Sequence, residues 1–156
     1  MQPPVTTTIP LTGRNFRPYG KLIHYAGKEK KGRVRNLWRI LHREEAKVGW
    51  RIAYLVLRDK SIGRLECHPD SDETLEPVAG QALLIVAPAA RPQDMAYFRL
   101  DGPVIVFKGI WHGLISLTPE TEIKITENLH VSSRFWPLGQ RIGLIQSPCP
   151  PRVLEL

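Results

Sequence analysis

The sequence has little cysteine, no long apolar run and no recognisable leader, and each absence narrows what the chain can be. Its two cysteines, Cys67 and Cys149, stand far apart, without the close pairs of a zinc ribbon or a thiol redox motif. A reduced, cytoplasmic protein is therefore the default expectation. No apolar stretch approaches the roughly 18 residues of a membrane span, so no membrane partner is expected. Residues 1–10 are rich in Pro and Thr and lack the basic and apolar regions of a signal peptide. Internal repeats and low-complexity blocks are also missing.

Basic residues are plentiful, yet they form no stripe. Lys and Arg number 22 against 15 Asp and Glu, for a net charge of +7. Lys28, Lys30, Lys31, Arg33 and Arg35 make a short group without interleaved aromatics, unlike a nucleic-acid surface. A small anionic substrate or a merely soluble surface accounts for the charge equally well.

What is present reads as one globular domain over residues 1–156. The length suits a single core, and the 42% hydrophobic content excludes general disorder. With 14 prolines and 12 glycines, turn residues punctuate the chain throughout. Between them lie short segments rich in β-branched and aromatic residues, at 21–25, 37–41, 50–57, 63–68, 81–87, 95–100, 104–108, 110–117, 122–126 and 141–145. Many short strands at this spacing predict an all-β sandwich or antiparallel barrel with few helices. Only 39–47 has helical composition. Residues 1–10 and 147–156 read as Pro-rich arms, because proline cannot donate to a β-ladder. Trp38, Trp50 and Trp136 read as core or interface residues.

The chemistry lies in two segments. The first runs from Arg64 to Gly80. In an extended strand Glu66 and His68 share a face and Cys67 takes the other. Pro69 then interrupts pairing, and Asp70-Ser-Asp72 is turn chemistry. A hairpin would return Glu73 toward Glu66 and His68, within metal-ligand reach. In the second segment, Val104 to Gly113, Gly109 breaks an apolar run. His112 shares a face with Leu114 while Trp111 points the opposite way. A lone histidine in such a run is commonly structural, but the joint pattern Glu66-x-His68-x4-Glu73-x6-Gly80 with Gly109-x2-His112 resembles the two cupin motifs. There two histidines, a glutamate and a third histidine bind one metal inside a β-barrel. Here Glu66 stands at the first histidine, Phe107 at the usual proline, and Ser116 at the closing asparagine.

A closer resemblance is to the ureidoglycolate lyases. It rests on Leu11-Thr12, Phe16-Arg-Pro-Tyr-Gly20, Leu65-Glu-x-His-Pro69, Pro77, the apolar strand 83–87, and Gly109-Ile-Trp-His112. This resemblance implies a cupin-fold double-stranded β-helix. It also implies a homodimeric carbon–nitrogen lyase that releases urea and glyoxylate from ureidoglycolate in allantoin breakdown. Glu73 occupies the family's glutamine position, which makes the site more anionic and favours metal. Lys30-Lys-Gly32 and Arg35 match the family's Asn-x-Gly segment and its arginine only loosely.

If Glu66, His68, Glu73 and His112 form one site, two carboxylates neutralise a divalent ion and two imidazoles suit Mn, Fe, Ni or Zn. An octahedral ion would keep two positions for an α-hydroxy carboxylate, whose hydroxyl it would acidify. Glu73 or Glu66 then serves proton transfer, with His112 and Lys108 also in the catalytic set. Arg64, Tyr19 and Arg35 are the expected substrate contacts, and no organic cofactor is expected. Two other readings are a metal cupin acting on another small acid, as an oxygenase or isomerase, and a non-catalytic small-anion binder.

Overall fold

The computed structural model describes residues 7–24 and 40–143. A single turn of helix, α1 (Gly13–Phe16), precedes ten strands: β1 (Gly20–Leu22), β2 (Trp50–Leu57), β3 (Ser61–Cys67), β4 (Glu73–Ala79), β5 (Ala82–Ala87), β6 (Ala96–Arg99), β7 (Val104–Val106), β8 (Trp111–Ser116), β9 (Thr121–Asn128) and β10 (Arg134–Gly143). They form two five-stranded sheets, in the orders β1-β7-β4-β9-β2 and β10-β3-β8-β5-β6. All pairings between these strands are antiparallel. The all-β expectation holds.

Side-chain alternation explains the layers. In β5 the run Ala-Leu-Leu-Ile-Val-Ala is buried at every position, as expected of a strand covered on both faces. Ala82, Leu84 and Val86 join Phe98, Leu75, Val104, Val106 and Ile123 in the core between the sheets. Leu83, Ile85 and Ala87 join Leu65 and Ile115 on the other face of the second sheet, under Trp111, Tyr97, Leu138 and Ile142.

Several local expectations change. Residues 66–73 do not fold as a hairpin, because β3 pairs with β10 and β8 while β4 pairs with β7 and β9. Pro69 and the Asp70-Ser-Asp72 turn carry the chain from one sheet to the other. Residues 40–47 form no helix; tertiary context overrides a weak composition signal. The final strand starts at Arg134 rather than at 141, since Arg134–Pro137 pair with Arg64–Cys67. Its Pro137 is tolerated because β10 is an edge strand. Trp50 and Trp136 are 67% and 41% exposed, so neither belongs to the core. Arg35, Trp38, Cys149 and the segment 147–156 lie outside the described residues, as do 1–6 of the first arm. The part of that arm within them reaches the second sheet through Ile9, which bridges to Phe98.

Two glycines have positive φ, Gly80 at 74° and Gly109 at 83°. A Cβ on Gly80 would lie 2.4 Å from the Glu120 carbonyl oxygen, whereas one on Gly109 would meet only Ala89 at 3.8 Å. Gly109→Ala is therefore expected to cost only the left-handed backbone penalty, about 1–2 kcal/mol. Gly80→Ala should cost clearly more. Chemical denaturation of the two variants tests this, and equal losses would contradict it.

Candidate metal centre

The floor of the site is assembled from both sheets. Glu66 on β3 pairs directly with His112 on β8, which brings their side chains to one face. His68 follows β3, and Glu73 opens β4 across the sandwich. Glu73 Oε2 lies 3.0 Å from His112 Nε2 and 3.8 Å from His68 Nε2. The two imidazole centroids are 5.2 Å apart. His68, Glu73 and His112 are only 7%, 7% and 6% exposed, so their charges interact with little screening.

Backbone carbonyls fix both imidazoles. His68 Nδ1 lies 3.2 Å from the Ser132 carbonyl, and His112 Nδ1 lies 3.1 Å from the Ile110 carbonyl. A carbonyl can only accept, so each Nδ1 carries a proton and each ring turns its Nε2 toward the site. Ser133 Oγ also approaches His68 Nδ1, at 3.3 Å.

The turn behind His68 is tied down in turn. Asp70 accepts from the Ser132 hydroxyl at 2.7 Å and from its backbone N–H at 3.1 Å. These bonds hold the Asp70 carboxyl below its ordinary range. Asp70 thereby fixes the carbonyl that orients His68. Asp72 accepts from the Lys108 backbone N–H at 2.7 Å, and Gly109 N–H donates to the His68 carbonyl at 2.8 Å. Both contacts attach the turn before β8 to the turn after β3.

Electrostatics follow from burial. Desolvation opposes charge on both Glu73 and His112, but their mutual contact outweighs it. The Glu73 carboxyl is lowered and the His112 imidazole raised. Without metal they form a buried ion pair. Despite the short approach, Glu73 Oε2 makes no aligned hydrogen bond, and it is the one buried side-chain oxygen or nitrogen without a partner among the described residues. An unpartnered buried carboxylate oxygen is costly, and a cation between it and two imidazole lone pairs would satisfy it.

The donor set therefore fits a divalent ion. Glu66, His68 and His112 form one group of mutually close donors, and His68, Glu73 and Glu127 form another. The four predicted ligands divide between these two groups, with Glu66 and His112 in one, Glu73 in the other beside Glu127, and His68 in both. Glu127 sits opposite Glu73 in the ladder and is bound by Arg51 at 2.7 Å. Its inward aim was legible in the alternation Ile123, Ile125, Glu127, had the strand been extended beyond Thr126.

A cavity of about 340 Å³ opens above this floor. Glu66, Glu73 and His112 line its base; Leu55, Leu57, Leu75, Leu114 and Ile125 form apolar walls. Arg64 lines it too, stacked on Phe135 with the guanidinium carbon 4.1 Å from the ring centroid.

Tyr19 and Lys108 do not reach this cavity. Tyr19 packs against Phe16 and Phe98, with ring centroids 6.0 and 5.9 Å away, because the first turn after α1 folds onto the barrel core. Lys108 points outward and lies 3.7 Å from Glu44.

No protein-family model matches the sequence, and no curated protein does. Solved structures do resemble this fold. One is a sugar 3,4-ketoisomerase from Thermoanaerobacterium thermosaccharolyticum in complex with TDP, at 13% identity and a TM-score of 0.43, covering 51% of this chain and 59% of that one. Another is a mutant of Bacillus subtilis oxalate decarboxylase, at 18% identity and 0.45, covering 56% and 24%. A third is the vicilin of Solanum melongena, at 14% and 0.44, covering 58% and 27%. The matched part spans less than two thirds of each neighbour's own length.

Two outcomes follow from the geometry. The metal-free ion pair contributes fully between the ordinary carboxylate and imidazole pKa values. It weakens as pH falls through the lowered Glu73 value or rises through the raised His112 value. Metal must displace the His112 proton, so affinity for Mn or Zn should climb as pH rises through that raised value, with proton release. Calorimetry in buffers of different ionisation enthalpy measures this; pH-independent affinity would contradict it. In addition, Asp70→Ala should weaken metal binding about tenfold by freeing the carbonyl that orients His68, while Asp70→Asn retains part of the effect. Unchanged metal affinity in both variants would remove Asp70 from that role.

Proposed function

We propose that this chain is a divalent-metal enzyme acting on a small carboxylic acid that enters the cavity above Glu73. The observation that carries this reading is the buried Oε2 of Glu73, which makes no aligned hydrogen bond and faces two imidazoles whose Nδ1 atoms are committed to backbone carbonyls. Of the three readings drawn from the sequence, a metal cupin working on a small acid is the best supported. Release of urea from ureidoglycolate is a finer version of the same chemistry and rests on the motif resemblance alone.

In this reading His68, His112 and Glu73 hold the ion. Bound there, the ion supplies Lewis-acid polarisation of a substrate oxygen. Glu66 takes a different role. It is half-buried, lines the cavity and stands beside His112, so it can exchange a proton with a ligand in the cavity. Leu57, Leu75 and Ile125 exclude water from the floor, which strengthens each charge interaction there. His112 keeps its Nδ1 proton on the Ile110 carbonyl, leaving Glu66 as the mobile proton carrier.

The roles of the two carboxylates can be separated. Glu73→Gln and His112→Ala should each lose most metal, read by elemental analysis after dialysis. Glu66→Gln should keep metal but lose about 100-fold or more in turnover. Substrate is sought by presenting the metal-loaded protein with ureidoglycolate and a panel of α-hydroxy and α-keto acids. Spontaneous decay is subtracted with the His112→Ala control. Full metal retention in the Glu73→Gln and His112→Ala variants would overturn the assignment.

A further inference from the structure

Resting on that reading, we infer that the cavity selects acids with a second, terminal anionic group, bound at its mouth by Arg64 and Arg141. The lining residues divide by exposure. Glu73 and His112 are buried at the floor, whereas Arg64 and Arg141 line the same cavity and are exposed. Along β3, Arg64 stands two residues from Glu66 on the same strand face, and Gly63, over which Arg141 lies, stands three residues away. An acid chelated at the floor therefore reaches the guanidiniums through a chain of a few atoms.

Both guanidiniums are held in place before any ligand arrives. Arg141 donates through Nε and Nη2 to the Ser61 hydroxyl, at 3.1 and 3.0 Å, and through Nη2 to its carbonyl, at 2.9 Å. Its Nη1 lies over Gly63, 3.2 Å from where a Cβ would stand, so a larger residue there would crowd it. Arg64 is stacked on Phe135, which comes from β10, as Arg141 does. Ordering of these long side chains is thus largely complete, which lowers the entropic cost of binding an anion.

Neither guanidinium forms an ion pair among the described residues. Asp59 lines the same cavity, but it offsets only one of the two positive charges. The mouth therefore favours an anion. A neutral ureido group would offer a single carbonyl acceptor and no charge to two guanidiniums. A carboxylate or a phosphate supplies acceptors matching the guanidinium fork.

The test uses metal-loaded protein and calorimetric titration. α-Hydroxyglutarate is compared with α-hydroxyvalerate, which has the same carbon chain but no terminal carboxylate. Phosphoglycerate supplies a terminal phosphate instead. The dianionic acids should bind about tenfold or more tightly than α-hydroxyvalerate, and the tighter of the two identifies the preferred anion. Arg64→Gln combined with Arg141→Gln should erase the preference, bringing α-hydroxyglutarate down to the affinity of α-hydroxyvalerate in the same variant. Ser61→Ala, which only loosens Arg141, should reduce the preference part-way. Equal affinities in the wild type, or a preference that survives in the double variant, would overturn the subsite while the metal reading stands. Failure of the wild type to take up metal, read beforehand by elemental analysis, would overturn both.

Discussion

The structure turns on a carboxylate oxygen held out of water between two imidazoles. Glu73 Oε2 is within 3.0 Å of His112 and 3.8 Å of His68, in a place where an unpaired charge would destabilise the fold. The metal-free chain answers this demand with a proton on His112, whereas a metal ion would answer it with coordination. Both answers use the same geometry. The site is therefore poised between a proton and a divalent ion, which is how an acidic and basic donor set becomes a metal centre near neutral pH.

Holding those three groups together places strict demands on the rest of the chain. Glu73 and Glu66 belong to different sheets, so their convergence depends on sandwich thickness and on the crossing at residues 68–72. That crossing is fastened on two sides. Asp70 is bound to Ser132, and Asp72 to the backbone of Lys108. Gly109 adds a bond to the His68 carbonyl. The core between the sheets, with Phe98, Leu84, Val104 and Ile123 fully buried, sets the spacing across which Glu73 meets the histidines. Packing and chemistry are coupled here: a change in sheet separation alters the donor distances directly.

Much of this was readable in the residues, for reasons that differ from place to place. Strand periodicity identified β2 to the residue and located β3, β5 and β8 closely, because turn residues bound each run. Face alternation put His112 with Leu114 and sent Trp111 to the opposite layer. The hairpin expectation failed because the Pro69–Asp72 turn looks locally the same whether the chain returns to its own sheet or crosses to the other. Only long-range pairing, with β7 and β9 taking the two edges of β4, settles that choice. Arg141, Phe135 and Ser132 escaped notice for a similar reason. They belong to β10 and its approach, where Pro137 disguised a strand, and β10 joins the site only through its pairing with β3. Tyr19 shows the converse error, since a turn motif located the residue but said nothing of the Phe16–Phe98 pair that captures its ring.

β10 also links the two ends of the cavity. Just before it, Ser132 and Ser133 support His68 from behind; within it, Phe135 stacks on Arg64 and Arg141 clasps Ser61. Between these points the ladder with β3 shifts register, from Pro137 to Ile142. The extra residues let the strand bend, as bulges do. Alternation puts Leu138 and Ile142 on the outer face of the second sheet and Phe135 and Arg141 on the face toward the cavity. One irregular edge strand thus positions the histidine at the floor and the guanidiniums at the mouth, so the two ends of the cavity are set by a single element of the fold.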